Sequence, residues 1–142
     1  MQLATVEGLL GIPADRRDTR LALPRSIEMG LPVDSLDHLA EVVAPGDLRF
    51  KFRLIPKATL ERRRKSSSKR LTAEEGDRLA RIAKVVAFAL EIYKDPAKAR
   101  EFLTRSHPML DGKAPIDVTL ATSAGTDLVV NLLGRGAYGG GV

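Results

Sequence analysis

The chain has no cysteine and no tryptophan, and it has only two histidines among its 142 residues. The lack of cysteine excludes disulfide scaffolds, thiolate nucleophiles and cysteine-ligated zinc sites. Neither His38 nor His107 has a serine or a carboxylate pair at a catalytic spacing, and we expect a surface position for the first and a capping or packing role for the second. The sequence therefore predicts no enzymatic activity, no metal site and no cofactor.

Long apolar runs are missing as well. No segment approaches the roughly 18 apolar residues that a membrane span requires, and residues 1–7 lack the basic and then apolar order of a secretion signal. Hydrophobic residues make up 44% of the sequence and charged residues 29%, as in ordinary folded proteins. We expect a cytoplasmic protein without a membrane partner.

Strand-like alternation of apolar and polar residues is also absent, whereas apolar residues recur at helical spacing. This predicts an all-α fold with a helix-turn-helix-like first half and a small helical second half. Only a short helix and a mobile loop are predicted in the first 25 residues. The later helices are predicted over 35–43, 56–65 and 73–93, from Pro96 to before Ser106, from Pro115 through Leu120, and from about Ser123 to Leu133.

Local signals set the ends of these helices. Thr72-Ala73-Glu74-Glu75 is a capping box at the start of the longest one. Gly134 suits the left-handed position that ends the last one, and residues 135–142 have too much glycine to hold themselves in place, which predicts a flexible tail. We place the join between two domains, 1–71 and 72–142, near residue 71.

Basic residues are concentrated in one short window. Residues 1–48 have a net charge of −4, and residues 71–142 have a net charge of zero. Residues 49–70 hold ten basic groups and one acidic group, Glu61, so their net charge is +9. Such a window is typical of contact with a polyanion. The alternative is a solvated basic face, which most charge runs are.

The two helices 35–43 and 56–65 predict a helix-turn-helix whose second helix enters the major groove of DNA. Their linker is longer than the usual turn, so either part of 48–55 is helical or the unit is atypical. Basic and hydroxyl side chains on and after the second helix suit base edges and phosphates. The predicted DNA-binding residues are Lys57, Thr59, Arg62, Arg63, Arg64, Lys65, Lys69 and Arg70.

The stretch Gly134-Arg135-Gly136-Ala137-Tyr138-Gly139 has the letters of a dinucleotide-binding turn but not its context. It follows a predicted helix, precedes none and has no acidic residue after it, which excludes that function. One interpretation is a frayed terminus. The other is a tail that a partner orders in a narrow cleft, with Arg135 on a carboxylate and Tyr138 in a flat slot.

The second half also contains short stretches that are weak singly and fairly specific together. They are Arg78-Leu79-Ala80-Arg81, Ala89-Leu90-Glu91-Ile92-Tyr93, Lys98-Ala99, Phe102-Leu103, the run from Pro108 to Asp117, Gly125 and Leu132-Leu133-Gly134-Arg135. With these, residues from about 72 to 139 resemble the toxin-binding domain of Xre/MbcA/ParS-type antitoxins. The run from Ile55 to Leu60 with Arg62-Arg63 resembles the recognition helix of the Xre-type helix-turn-helix that precedes this domain in the family.

The resemblance implies a type II antitoxin that acts as a dimer, binds and silences a RES-domain toxin that consumes NAD, and represses its own operon by binding operator DNA. The toxin's active site would be occluded by the C-terminal region. The toxin-binding residues implied are Arg135, Gly136, Ala137, Tyr138 and Gly139. The tail departs from its relatives, which have a bulky apolar and an acidic residue after the arginine.

A function of a different class is also consistent with the sequence. The chain can be a stand-alone helix-turn-helix regulator whose C-terminal half dimerises or senses a ligand. An antitoxin co-purifies with a toxin encoded beside it, whereas a stand-alone regulator purifies as a homodimer.

Overall fold

The computed structural model describes residues 5–13, 17 and 19–139, with side chains through Gly136. Part of the predicted N-terminal loop and the end of the predicted tail lie outside this range. The helices within it are α1 (Val6–Leu9), α2 (Ala22–Met29), α3 (Asp34–Val43), α4 (Lys51–Leu54), α5 (Lys57–Lys65), α6 (Ala73–Tyr93), α7 (Pro96–Thr104), α8 (Pro115–Ala121) and α9 (Ser123–Gly139). A 3-10 helix, Pro108–Leu110, precedes α8. The prediction of an all-α fold is confirmed.

Side-chain caps begin three helices where the sequence predicts them. The Thr72 hydroxyl accepts a hydrogen bond from Glu75 N at 3.1 Å, and the Glu75 carboxylate accepts one from Thr72 N at 2.9 Å, which completes the capping box of α6. Asp95 caps α7, since its carboxylate accepts a backbone N–H bond at 2.9 Å. Thr122 likewise accepts from Gly125 N at 2.9 Å at the start of α9.

Two short helices lie where the sequence indicates a loop and a linker. α2 replaces part of the predicted loop, and Pro24 lies in its first turn. A proline is tolerated there because the first amides of a helix have no partner within it. α4 lies inside the linker, so the helical alternative for part of 48–55 is the correct one, and only Ile55 and Pro56 separate α4 from α5.

The long helix α6 is the centre of the structure. It packs against α1, α2 and α3 from the first half and against α7, α8 and α9 from the second. Helical spacing in the sequence places six apolar residues on one face: Leu79, Ile82, Val86, Ala89, Leu90 and Tyr93. The first four are at most 1% exposed, and Leu90 and Tyr93 are partly buried. Burying one such leucine or isoleucine contributes about 2 kcal/mol. One continuous core therefore fixes the basic helix α5 and the last helix α9 relative to α6.

Arg81 attaches α8 to this central helix. Its Nε donates to the carbonyl oxygen of Thr119 at 3.1 Å, and its Nη2 donates to that of Leu120 at 2.8 Å. The last carbonyls of a helix have no partner within it, and a cation at that end also interacts favourably with the helix dipole. The α8–α9 pair is thus held in place on α6 by a polar contact as well as by apolar packing.

The last helix runs on to Gly139, so the prediction that it ends at Gly134 is wrong. Gly134 is not among the glycines with positive φ, and a Cβ added to it would meet the ring of Phe88 on α6 at 3.9 Å. Packing against a neighbour usually decides whether a helix continues, and propensity is the weaker influence. Residues 135–139 of the predicted tail are therefore helical.

We expect replacement by alanine at two glycines of α9 to change the free energy of unfolding in opposite directions. We expect Gly125→Ala to lower the free energy of unfolding by about 2–3 kcal/mol, because overpacking forces backbone shifts. A Cβ at this position would lie 2.2 Å from the carbonyl oxygen of Val118. Gly134→Ala is the matched control and should gain up to about 1 kcal/mol, since alanine is favoured over glycine inside a helix.

Urea unfolding of both variants measures these changes. Equal destabilisation of the two would contradict the helical position of Gly134, and a neutral Gly125→Ala would contradict the close approach of α8 and α9.

Candidate DNA-binding and partner-binding surfaces

The basic helix α5 is oriented by its one buried residue, Leu60, which is 2% exposed. At ~100° per residue, Arg62 and Lys65 project ~140–160° away from Leu60. Both are exposed. Arg63 and Arg64 project only ~40–60° from Leu60, on either side of it. α5 therefore presents Arg62 and Lys65 outward and turns Arg63 and Arg64 toward the neighbouring helices.

Arg63 is bound to Glu75 in the first turn of α6. Its Nε donates to one carboxylate oxygen at 2.9 Å and its Nη2 to the other at 3.0 Å, a bidentate pair. Burial acts to raise the pKa of the Glu75 carboxyl, but hydrogen bonds from Arg63 and Thr72 outweigh it, and the pKa lies below its ordinary value. The bond to Glu75 raises the pKa of the Arg63 guanidinium. Both groups are charged at neutral pH.

Arg64 is bound to Asp37 on α3. Its Nη2 donates to both carboxylate oxygens, at 2.9 and 2.8 Å. Lys51 Nζ on α4 donates to the same carboxylate at 3.3 Å. Asp37 thus joins α3, α4 and α5 through one partly exposed side chain.

Lys69 and Arg70 lie in the loop after α5. Arg70 Nη1 donates to the carbonyl oxygen of Gly30 at 2.7 Å, and the Lys69 carbonyl accepts from Val33 N at 3.0 Å. These bonds attach the loop to the segment that precedes α3. Lys69 has a φ of 52°, in the left-handed region that residues other than glycine rarely adopt, and its side chain is exposed.

The remaining predicted DNA-binding residues lie along α5 itself. Lys57 Nζ lies 5.9 Å from the ring centroid of Phe52 on α4, a cation–π distance. Arg62 Nη2 donates a long bond to the Thr59 hydroxyl at 3.4 Å. Neither Arg62 nor Lys65 forms an ion pair with any residue in the described range. Both cations are therefore available to donate hydrogen bonds to a phosphate or a base edge.

The C-terminal residues are brought to one end of α9. Arg135 is exposed there, Gly136 is half-buried, and Arg135 forms no ion pair with the described part of the chain. The side chains of Ala137 and Tyr138 lie outside the described residues, although the backbone from Ala137 to Gly139 is helical. α9 packs against α6, and the ring of Phe88 on α6 lies 3.9 Å from the place that a Cβ on Gly134 would occupy.

The two histidines have the positions expected for them. His38 is exposed, with Nε2 3.1 Å from the carbonyl oxygen of Gly8. Nδ1 of His107 accepts from Met109 N at 3.3 Å and caps the 3-10 helix. Within the described ranges no three metal-binding side chains come together, and no helix is both long and apolar enough to cross a membrane.

The sequence does not reveal that Asp37 and Glu75 pair with arginines of the basic helix. Counting charges locates the basic window but does not show which of its arginines are paired, since the partners of Arg63 and Arg64 lie 12 and 27 residues away. Only Glu75 had a signal, as the last residue of the capping box, and that signal predicts a helix start rather than an ion pair.

Comparison with known proteins agrees with this division into a basic helical unit and a second helical unit. Residues 22–84 match the family model described as the antitoxin Xre-like helix-turn-helix domain. Residues 88–139 match that described as the antitoxin Xre/MbcA/ParS C-terminal toxin-binding domain. The first match ends and the second begins within α6, and together they define an antitoxin that joins a DNA-binding unit to a toxin-binding unit.

The chain is also similar to the antitoxin Xre of Yersinia enterocolitica serotype O:8 / biotype 1B. The two sequences are 32% identical over 133 residues, which cover 92% of this chain and 86% of that protein. The chain therefore belongs to the Xre family of antitoxins. Membership implies a toxin partner for the second domain and DNA binding for the first.

Proposed function

We propose that this antitoxin neutralises a RES-domain toxin that degrades NAD, and that it represses its own operon by binding operator DNA. The observation that carries the proposal is the pairing, in one chain, of a helix-turn-helix match and a toxin-binding match. Residues 1–71 form the DNA-binding and dimerisation part in this proposal, and residues 72–142 form the toxin-binding part. The chain acts in the cytoplasm by binding and is not itself an enzyme.

DNA binding rests on the outward face of α5. Arg62 and Lys65 project away from the core and carry no internal ion pair within the described residues, so they can contact phosphates or base edges. Lys57, Thr59 and Lys69 flank them. A homodimer would place two such helices on a two-fold operator and so gain affinity and spacing specificity.

Toxin binding rests on the end of α9. Arg135 is exposed there and can pair with a carboxylate at the mouth of the toxin's active site. Gly136, Ala137, Tyr138 and Gly139 continue the same helix and would fill the opening. A helix that enters as a formed element loses less conformational entropy than a disordered tail. In this proposal the toxin degrades NAD, and this chain keeps NAD out of the toxin's active site.

Co-expression with the product of the adjacent gene tests the proposal. We expect the two proteins to co-purify as a complex that does not consume NAD, because the substrate site is covered. The toxin freed by denaturation and refolding should consume NAD, and adding this chain back should stop it. Purification of this chain as a homodimer alone, with no effect on NAD consumption, would instead favour the stand-alone regulator.

A further inference from the structure

We infer that Asp37 and Glu75 are positioning residues for DNA recognition, which set the rotation of α5 about its axis without touching DNA. The inference rests on the proposed DNA binding by the outward face of α5. It assigns to Arg63 and Arg64, which the sequence places among the DNA-binding residues, the role of anchors to two different helices.

The geometry of the two ion pairs carries the inference. Consecutive residues of a helix project ~100° apart, and Arg63 reaches α6 while Arg64 reaches α3. Leu60 enters the core between them. Three contacts at three angles leave a helix little freedom to rotate. The rotation they select is the one that directs Arg62 and Lys65 outward.

The Glu75 contact is the stronger of the two. The Glu75 side chain is 11% exposed, and its carboxylate receives both Arg63 nitrogens and the Thr72 amide. A buried carboxylate is stable only when such donors satisfy it. The Asp37 side chain is 37% exposed, so solvent screens its pair with Arg64 more strongly. We therefore expect Glu75 substitutions to have the larger effect.

A competing role for Glu75 predicts the opposite result. If Arg63 were a DNA contact, Glu75 would hold it back, and removing the charge of Glu75 would release a cation to a phosphate. DNA binding would then become tighter and more sensitive to salt, because each new phosphate contact releases counterions.

Glu75→Gln is the test variant. Its amide oxygen can still accept from Thr72 N, so the helix cap is kept while the charged pair is lost. Glu74→Gln is the matched control, because it removes the same charge one residue earlier from a side chain that is 81% exposed and that, among the described residues, pairs only with Arg78 on its own helix. The probes are a duplex from directly upstream of the chain's own reading frame and a scrambled duplex of equal length.

Relative to the control, we expect Glu75→Gln to bind the upstream duplex about 10-fold more weakly. Its affinity for the scrambled duplex and the slope of log affinity against log salt should both be unchanged. Arg63→Gln should behave in the same way, whereas Arg62→Gln should reduce the slope by about one. Tighter binding or a steeper slope in Glu75→Gln, or a reduced slope in Arg63→Gln, would overturn the inference. Equal loss on both duplexes would also overturn it, because it indicates general unfolding.

Amide hydrogen exchange tests the positioning without DNA. We expect the amides of α5 to exchange about 10-fold faster in Glu75→Gln than in Glu74→Gln, with no change in α8. Equal exchange of α5 in the two variants would overturn the inference. Failure of the wild-type chain to prefer the upstream duplex would instead count against the proposed DNA binding, while the exchange result still decides whether Glu75 holds α5.

Discussion

Replacing both Arg62 and Lys65 with glutamine is expected to weaken operator binding by about 100-fold, which corresponds to about 2.7 kcal/mol. The two cations lie on the outward face of α5 and have no ion-pair partner among the described residues. A side chain that makes a bidentate contact with a guanine edge typically contributes about 1–3 kcal/mol. If both contact phosphates, the slope of log affinity against log salt falls by about two. Toxin neutralisation should be unchanged.

Lys98→Gln with Lys113→Gln is the control for this double variant. These exposed lysines lie in the second half, beyond the residues that match the helix-turn-helix family, and their replacement removes the same charge. Fluorescence anisotropy with a labelled operator duplex at several salt concentrations measures both double variants. Equal losses in the two would show that net charge rather than the α5 face drives binding.

Truncation after Gly134 is expected to raise the concentration of antitoxin needed for half-inhibition of the toxin by at least about 100-fold. The deletion removes Arg135 and the residues that we propose fill the toxin's opening. The buried residues Val129, Leu132 and Leu133 all remain, and among the residues whose side chains the structure describes none after Leu133 is buried. The measurement is NAD consumption by the toxin at increasing antitoxin, with circular dichroism as the check on the fold.

A point variant separates the arginine from the rest of the removed segment. Arg135→Ala should account for a large part of the loss, because a charged hydrogen-bonded pair in an interface typically contributes about 2–5 kcal/mol on truncation. Arg105→Ala is its control, an exposed arginine of the same half that directly follows α7 and pairs with Glu101 on that helix. Full inhibition by the truncated chain would refute occlusion by the end of α9.

The helices that the sequence predicts correctly are those whose signals are local. Thr72 and Glu75 lie three residues apart and cap the helix that they begin. Asp95 likewise caps the helix that begins at Pro96, and the buried residues of α6 recur at helical spacing. Such patterns depend on the periodicity and hydrogen-bonding capacity of neighbouring residues, which the sequence displays directly.

The end of α9 is an example of a feature that local signals miss. Glycine after an apolar stretch usually ends a helix, and Gly134, which is followed by four more glycines, predicts an end there. The packing of α9 on α6, with the ring of Phe88 close to Gly134, is a tertiary feature that no local pattern displays. α2 was also not predicted, although Pro24 lies in its first turn, where a proline is tolerated.

The sequence locates the candidate DNA-binding face but does not show which of its cations point outward and which are paired. Charge counting identifies residues 49–70, whereas the separation of Arg62 from Arg63 depends on the rotation of α5 and on Glu75 from another helix. The same limit applies to Arg64 and its partner Asp37. Which cations of a basic run are free is a property of the packed structure.

The position of the α9 end in the complex tests the proposed division of labour most directly. A solved structure of this chain bound to its toxin should place Arg135 against a carboxylate at the toxin's active-site opening, with residues 136–139 inside it and the outward face of α5 left accessible. A complex in which the end of α9 lies away from that opening would contradict the proposed mechanism. So would a toxin docked on Arg62 and Lys65.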